Sequence, residues 1–264
     1  MEHLVSDPIN LIIEDSVATL TLSRPDAGNA MDWALVDAFS SACATIRGDA
    51  SVRAVLIRGE GKNFCVGGDL KVFASESDPG GFLGRLARRL HDGVEILAGL
   101  PAPVIVAVQG AAAGAGLSLV AGGDLVLATR SSSYAMAYTG VGLVADGGAT
   151  YWLPRVIGLR RAQEMAYAQR RLTAEEALAF GLVTRLVDDD ALQAEAASLA
   201  RQVAQGPTFA YGRLKGLYAG AYAADLSGQL EAEAAAIAEA MATEDAKGAV
   251  AAFLERRKPQ FAGR

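Results

Sequence analysis

Glycine-closed runs of β-branched and aliphatic residues recur along the chain, with helical spacing between them. The runs VRAVLIRG (52–59), PVIVAVQG (103–110) and DLVLAT (124–129) are too short for helices and read as strands, the second of them buried. Ahead of them, Ile9, Leu11 and Ile13 alternate with more polar neighbours, and VATLTL (17–22) alternates again after EDS, which predicts a β-hairpin. Asp32 stands where a helix would be capped, and Leu35, Val36, Phe39, Cys43 and Ile46 follow at helical spacing. A second helix is expected over about 82–98. Glycine punctuates the joins, at GEGKNFCVGG (59–68) and in AAAGAG (111–116), which reads as a small-residue turn. Strands and helices in this alternation belong to α/β architectures, with ligands sitting where glycine lets backbone approach closely.

The second half changes texture. Thr173 and Glu176 in LTAEEALAFG form a capping-box pattern, Gly181 stands where that helix would stop, and GLVTRLV (181–187) is one more short strand. Beyond Pro207 the chain becomes alanine-rich and helical. A boundary near residue 205 therefore divides an α/β core (1–204) from a C-terminal helical region (205–264), which either caps the core or meets another subunit.

Composition removes several function classes. The 52% hydrophobic content is spread in short runs, and the longest, 102–120, is interrupted by Pro103 and Gln109, so no membrane span is expected. The opening MEHLVSDPIN has no basic start followed by an apolar core, which points to a cytoplasmic protein. Two cysteines, Cys43 and Cys65, and two histidines, His3 and His91, supply neither a disulfide scaffold nor metal-ligand spacing, so no metal is expected. A net charge of −6 argues against nucleic acid.

Two stretches invite chemistry. KNFCVGGDL (62–70) and VQGAAAGAGLSL (108–119) each place small residues between a strand and a helix, leaving backbone N–H groups without intrahelical partners. Paired backbone donors of this kind can stabilise an oxyanion; alternatively, both are merely tight turns. Neither has the spacing of a nucleotide-binding loop.

RPDAGNAM (24–31), FCVGGDL (64–70), VQGAAAGAGLSL (108–119), VADGGATYWLPRVIG (144–158) and LTAEEALAFGLVTRLV (172–187) resemble, in order, the successive motifs of the crotonase superfamily, the enoyl-CoA hydratase/isomerase group. The resemblance covers nearly the whole chain and is nearest in motif to phenylacetate-pathway-type isomerases. It implies an α/β spiral of ββα units with a C-terminal helical trimerisation region, assembled as a homotrimer or a hexamer of paired trimers. It also implies an acyl-CoA thioester substrate, with coenzyme A brought by the substrate and no other cofactor.

Carried over position by position, the family's two oxyanion-hole amides fall on Gly68 and Ala115. Ala115 replaces the usual glycine, which is tolerable only where φ need not be positive. The two glutamates of hydratases fall on Ser118 and Tyr138, neither a carboxylate. Asp146 stands where isomerases of the family carry their catalytic acid, and where the 4-chlorobenzoyl-CoA dehalogenase group carries a nucleophilic aspartate. A single carboxylate suits a proton shuttle between two carbons of an allylic thioester. Its structural alternative is an N-cap for a helix beginning near Ala149 or Thr150. His91 aligns with a dehalogenase histidine, although the accompanying tryptophan falls on Tyr138. Coenzyme A contacts carry over to Ala27, Ala30, Gly67, Asp69, Leu70, Lys71, Phe253 and Arg256, while Asp26 stands where relatives often have a basic residue. The acyl pocket is expected to be lined by residues 73–91 and by the C-terminal helices.

These residues predict double-bond isomerisation in an enoyl-CoA. Hydration, then dehalogenation or thioester hydrolysis, are the enzymatic alternatives, and an acyl-CoA binder without turnover is the non-enzymatic one. A serine hydrolase built on Ser118 and His91 lacks the G-x-S-x-G turn.

Overall fold

The computed structural model describes residues 7–264, so His3 lies outside the described residues. Strands β1 (Ile9–Glu14) and β2 (Val17–Leu22) form the expected antiparallel hairpin. Its turn residues, Asp15 and Ser16, both take positive φ (49° and 63°), as a two-residue turn matched to strand twist requires. From β2 onward the sheet is parallel. It adds β3 (Ala54–Gly59), β4 (Val104–Val108), β6 (Leu125–Thr129) and β9 (Arg185–Val187), in the spatial order β1-β2-β3-β4-β6-β9.

Burial on both faces explains why these strands read as unbroken apolar runs. Leu20, Leu22, Val55, Ile57, Val104 and Val106 belong to the core beneath α1 (Trp33–Gly48) and α3 (Pro79–Gly99). Their neighbours Leu56, Ile105, Ala107 and Leu127 face the other way, onto α8 (Leu192–Ala204). Ala196, Ala200 and Ala204 recur every four residues on that helix, and their small side chains let it lie close against the sheet. Helix α1 starts where its sequence predicts, with the Asp32 carboxylate accepting from the Leu35 N–H at 2.9 Å.

A second sheet corrects one reading. Ala111–Ala113 is not a turn but strand β5, parallel to β7 (Ser133–Ala135), which pairs antiparallel with β8 (Arg171–Thr173). Alanine has little strand preference of its own; here partners on both sides, β7 and an isolated bridge from Cys65 to Ala112, impose the conformation.

The chain thus passes repeatedly from main-sheet strand to second-sheet segment to helix. After β3 it runs through Cys65 to α2 (Leu70–Ser75) and α3; after β4, through β5 to α4 (Ala115–Ala121). After β6 it runs through β7 to α5 (Ala149–Val156) and α6 (Leu159–Tyr167). This is a spiral of ββα units. Helix α7 (Ala174–Phe180) has the full Thr173–Glu176 capping box and ends at Gly181, with φ 86°.

Helices α9 (Thr208–Gly220), α10 (Leu226–Ala242) and α11 (Glu244–Leu254) complete the chain. Lys215 fastens α9 to the core through a 2.8 Å ion pair with Asp124. Asp245 holds the final residues by accepting from the N–H groups of Ala262 and Gly263 at 2.6 and 2.8 Å. Helix α10 buries only Ala236, and Leu230, Ile237 and Phe253 point outward. Among the described residues no helix is long and apolar enough to cross a membrane.

Candidate active site

The loop after β3 is pinned by a buried asparagine. Asn29 Nδ2 donates to the carbonyls of Glu60, Asn63 and Phe64 at 2.9–3.0 Å, and its Oδ1 accepts from the Arg24 N–H at 2.8 Å. The carbonyl of Asn29 accepts from the thiol of Cys65 at 3.1 Å. Burial pushes that thiol up to about 12, so it serves as a neutral donor and a packing group.

Held in this way, the loop meets the start of α4 with almost no intervening side chain. Gly67 has φ +100°, and a Cβ there would lie 3.0 Å from the Ala113 carbonyl oxygen; Gly114 has φ +53°, and its Cβ would lie 3.3 Å from Gly67 Cα. Only glycine fits both positions. The next residue of each stretch is Gly68 or Ala115, and neither N–H donates to a protein acceptor among the described residues. Positive φ falls on Gly114 and not on Ala115, so alanine is accommodated as the first residue of α4. Both residues line one cavity.

Asp146 lines the same cavity, and it is not a helix cap. The N-cap of α5 is Gly148, with φ 85° and no side-chain hydrogen bond. Gly147 and Gly148 both take positive φ and insert a turn that carries the carboxylate away from the helix start. The Asp146 carboxylate instead accepts from the Tyr138 hydroxyl, Oδ1 to Oη, at 2.6 Å. Oδ2 accepts from no protein donor among the described residues. Burial, followed by the charge of Asp146 and its hydrogen bond, holds the Tyr138 hydroxyl protonated well above the usual phenol range.

Ser118 and His91 stand behind this pair. Ser118 is buried on α4, with its hydroxyl 3.1 Å from Tyr138 Oη and donating to the Asp146 carbonyl at 2.9 Å. His91 Nε2, from α3, accepts the Gly147 N–H at 3.2 Å. Neither residue lines the cavity.

The cavity measures about 390 Å³ and is otherwise apolar. Its walls include Phe73 and, at helical spacing on α3, Leu83, Leu86 and Leu90, within the segment the sequence nominates. Helices α9–α11 contribute none of its lining, so within one chain that part of the expectation fails. They pack to the side of the core, fastened through Asp124 and Arg53 rather than through the cavity wall. Val141, Leu143 and Val144 complete the wall from a loop whose irregular spacing hides it in the sequence. Asn29 is likewise visible only through its contacts.

The carried-over coenzyme A positions divide. Gly67 and Leu70 line the cavity, while Ala27, Ala30, Lys71, Phe253 and Arg256 lie outside its walls. Lys71, Phe253 and Arg256 are exposed. Asp69 uses its side chain to cap α2 and to pair with Arg24 at 3.2 Å. The Ala30 carbonyl accepts from the Arg24 guanidinium. Among the described residues no three His, Cys, Asp or Glu side chains converge as a metal site.

Two unpartnered amides and one carboxylate in an apolar cavity can stabilise an enolate and move a proton. The chain is similar to known proteins. The family described as Enoyl-CoA hydratase/isomerase matches over residues 12–264. The chain is 38% identical over 254 residues to 1,2-epoxyphenylacetyl-CoA isomerase of Escherichia coli (strain K12), covering 96% of this chain and 97% of that protein. It is 36% identical over 253 residues to a Rhodobacter capsulatus protein named "Probable enoyl-CoA hydratase", covering 96% of each. A crystal structure of an enoyl-CoA hydratase from Mycobacterium smegmatis superposes with a TM-score of 0.90 at 34% identity, covering 96% of this chain and 98% of that one.

Proposed function

This chain belongs to the enoyl-CoA hydratase/isomerase family, and we propose that within it the protein shifts a carbon–carbon double bond in an enoyl-CoA. The observation that carries the reading is that, among the described residues, Asp146 is the sole carboxylate lining the cavity onto which Gly68 and Ala115 open. The thioester carbonyl oxygen accepts from the Gly68 and Ala115 N–H groups. Asp146 removes a proton from one end of the allylic system, and the electron pair delocalises onto that oxygen as a dienolate. The resulting carboxylic acid returns the proton at the other end, so the double bond moves and no water is consumed. Two fixed amides lower the cost of the oxyanion by roughly 3–4 kcal/mol each.

Tyr138 and Ser118 favour this chemistry over hydration. Adding water calls for one group to activate it and another to protonate carbon. A phenol held protonated and a hydroxyl turned onto backbone carbonyls offer no second carboxylate. Tyr138 occupies Oδ1 of Asp146, which leaves Oδ2 to act as the base.

The apolar walls suit an uncharged acyl group, aliphatic or aromatic. Coenzyme A arrives with the substrate and no resident cofactor enters the scheme. The coenzyme A contacts fall to Ala27, Ala30, Gly67, Asp69, Leu70 and Lys71, joined by Phe253 and Arg256 of a second copy of this chain. The outward apolar side chains of α10 and α11 support a homotrimer or hexamer assembled through these helices.

A panel of 2-enoyl, 3-enoyl and aromatic acyl-CoAs, incubated in water labelled with deuterium and oxygen-18, tests the reaction. A displaced double bond with no oxygen-18 is the result expected, with deuterium entering to the extent that the Asp146 carboxylic acid exchanges its proton with solvent before returning it. Oxygen-18 in the acyl chain would establish hydration or displacement instead.

A further inference from the structure

The peptide unit that follows the carboxylate is gripped at both of its poles by side chains from two different helices. Its carbonyl, that of Asp146, accepts from the Ser118 hydroxyl of α4 at 2.9 Å. Its N–H, that of Gly147, donates to Nε2 of His91 on α3 at 3.2 Å. Gly147 is buried at φ +60°, and a Cβ there would sit 3.0 Å from Ser118 Cβ and 3.4 Å from a Leu90 methyl, so the peptide has little room to rotate. The orientation of this plane sets the direction in which the Asp146 side chain leaves the backbone.

His91 does not line the cavity and touches no reacting atom in the scheme above. An imidazole that accepts at Nε2 is neutral and carries its proton on Nδ1. We propose that His91 is a positioning residue: its neutral imidazole, with Ser118, clamps the Asp146–Gly147 peptide and so holds the carboxylate against Tyr138 and over the substrate. This rests on the reading of Asp146 as the acid/base. It assigns His91 a role distinct from the hydrolytic one that alignment with dehalogenases implies, because its Nε2 accepts from backbone and the residue does not line the cavity.

The test compares His91→Gln, whose Oε1 can replace Nε2 as acceptor, with His91→Leu, which fills the space and accepts nothing. On an enoyl-CoA for which the wild type shows proton exchange, His91→Leu is expected to lower kcat about 10²-fold with KM nearly unchanged, the loss that follows a misplacement of about 1 Å. His91→Gln is expected to restore most of that loss. Wild-type kcat in His91→Leu, or equal losses in both variants at unchanged melting temperature, would overturn the proposal. Nitrogen-15 spectra supply a readout that needs no turnover and no foldable leucine variant, since the chain has only two histidines. The His91 ring should show an unprotonated Nε2; a proton on that nitrogen overturns the clamp. If Asp146→Asn keeps full turnover, the acid/base reading fails and the clamp has no function. If Asp146→Asn is inactive while His91→Leu is unimpaired, only the positioning role fails.

Discussion

The Tyr138 hydroxyl donates to Oδ1 of Asp146 at 2.6 Å on the wall of the cavity, which joins a carboxylate to a phenol that burial keeps protonated. Ser118 and Tyr138, to which the resemblance assigns the glutamates of hydratases, are both hydroxyl groups that donate to Asp146, one to its carbonyl and the other to its carboxylate.

Asp146→Asn removes the base and leaves the cavity shape unchanged. Turnover is expected to fall about 10²–10⁴-fold, the usual worth of a positioned acid/base group, with acyl-CoA binding retained. An ultraviolet assay of double-bond migration, with calorimetric titration of the substrate, checks both. Full turnover would remove Asp146 from the mechanism.

Tyr138→Phe deletes one hydrogen bond to a charged oxygen, worth about 1.5–3 kcal/mol. The expected consequence is a kcat at least about 10-fold lower with the fold intact. Because the folded protein holds the Tyr138 proton more tightly than free phenol, no alkaline limb of wild-type activity below about pH 10 should vanish in this variant. A limb that did vanish would show an ionising Tyr138.

Ala115→Pro is a backbone deletion made by side-chain substitution. Proline is tolerated at the first position of a helix, where α4 places Ala115; it removes the N–H and sets its ring Cδ in that place. Loss of one oxyanion donor costs about 10²–10³ in kcat. Steady-state kinetics beside a circular-dichroism melt separate that loss from misfolding, and a well-folded variant of wild-type kcat would exclude this amide.

Burial pushes the thiols of Cys43 and Cys65 up from 9.0 to about 12. The folded chain therefore binds these protons more tightly than the unfolded one. The stability they contribute is complete below about pH 9 and declines as pH rises toward 12. Melting temperature should fall over that interval, less steeply in Cys43→Ala, and a thiol reagent at pH 8 should label neither cysteine until the protein unfolds. Rapid labelling of native protein would contradict this burial.

Ile237→Asp places a charge on the outward face of α10. If α9–α11 assemble subunits, sedimentation should show the wild type as a multiple of the subunit and the variant as a smaller species. Identical sedimentation would place the interface elsewhere.

Much of this molecule is local, and local features are legible. The alternation of strands with helices follows from periodicity within ten to twenty residues, as do the Asp32 cap and the Thr173 capping box. The glycine pairs at 67–68 and 114–116 are visible as tight joins, and Asp146 as a lone acid among apolar residues and glycine. Where local signals are weak, contacts distant in sequence decide. Three alanines at 111–113 carry no strand preference, and it is pairing with β7 and Cys65 that makes them one. Asp146 has the composition of a cap, and only the positive φ of the next two glycines shows that it is not.

The sequence by itself determined a parallel-capable set of buried strands, two glycine-rich joins, and one acid set between an apolar run and two glycines. Only the tertiary structure decided which side chains share the cavity. Ser118 faces the Asp146 carbonyl, 28 residues away, and His91 reaches Gly147 across 56 residues, and neither lines the cavity. Contacts at such separations are set by how α3 and α4 pack against the 146–148 turn. No periodicity within either helix records them, because a helix fixes which residues share a face and leaves open what that face will meet.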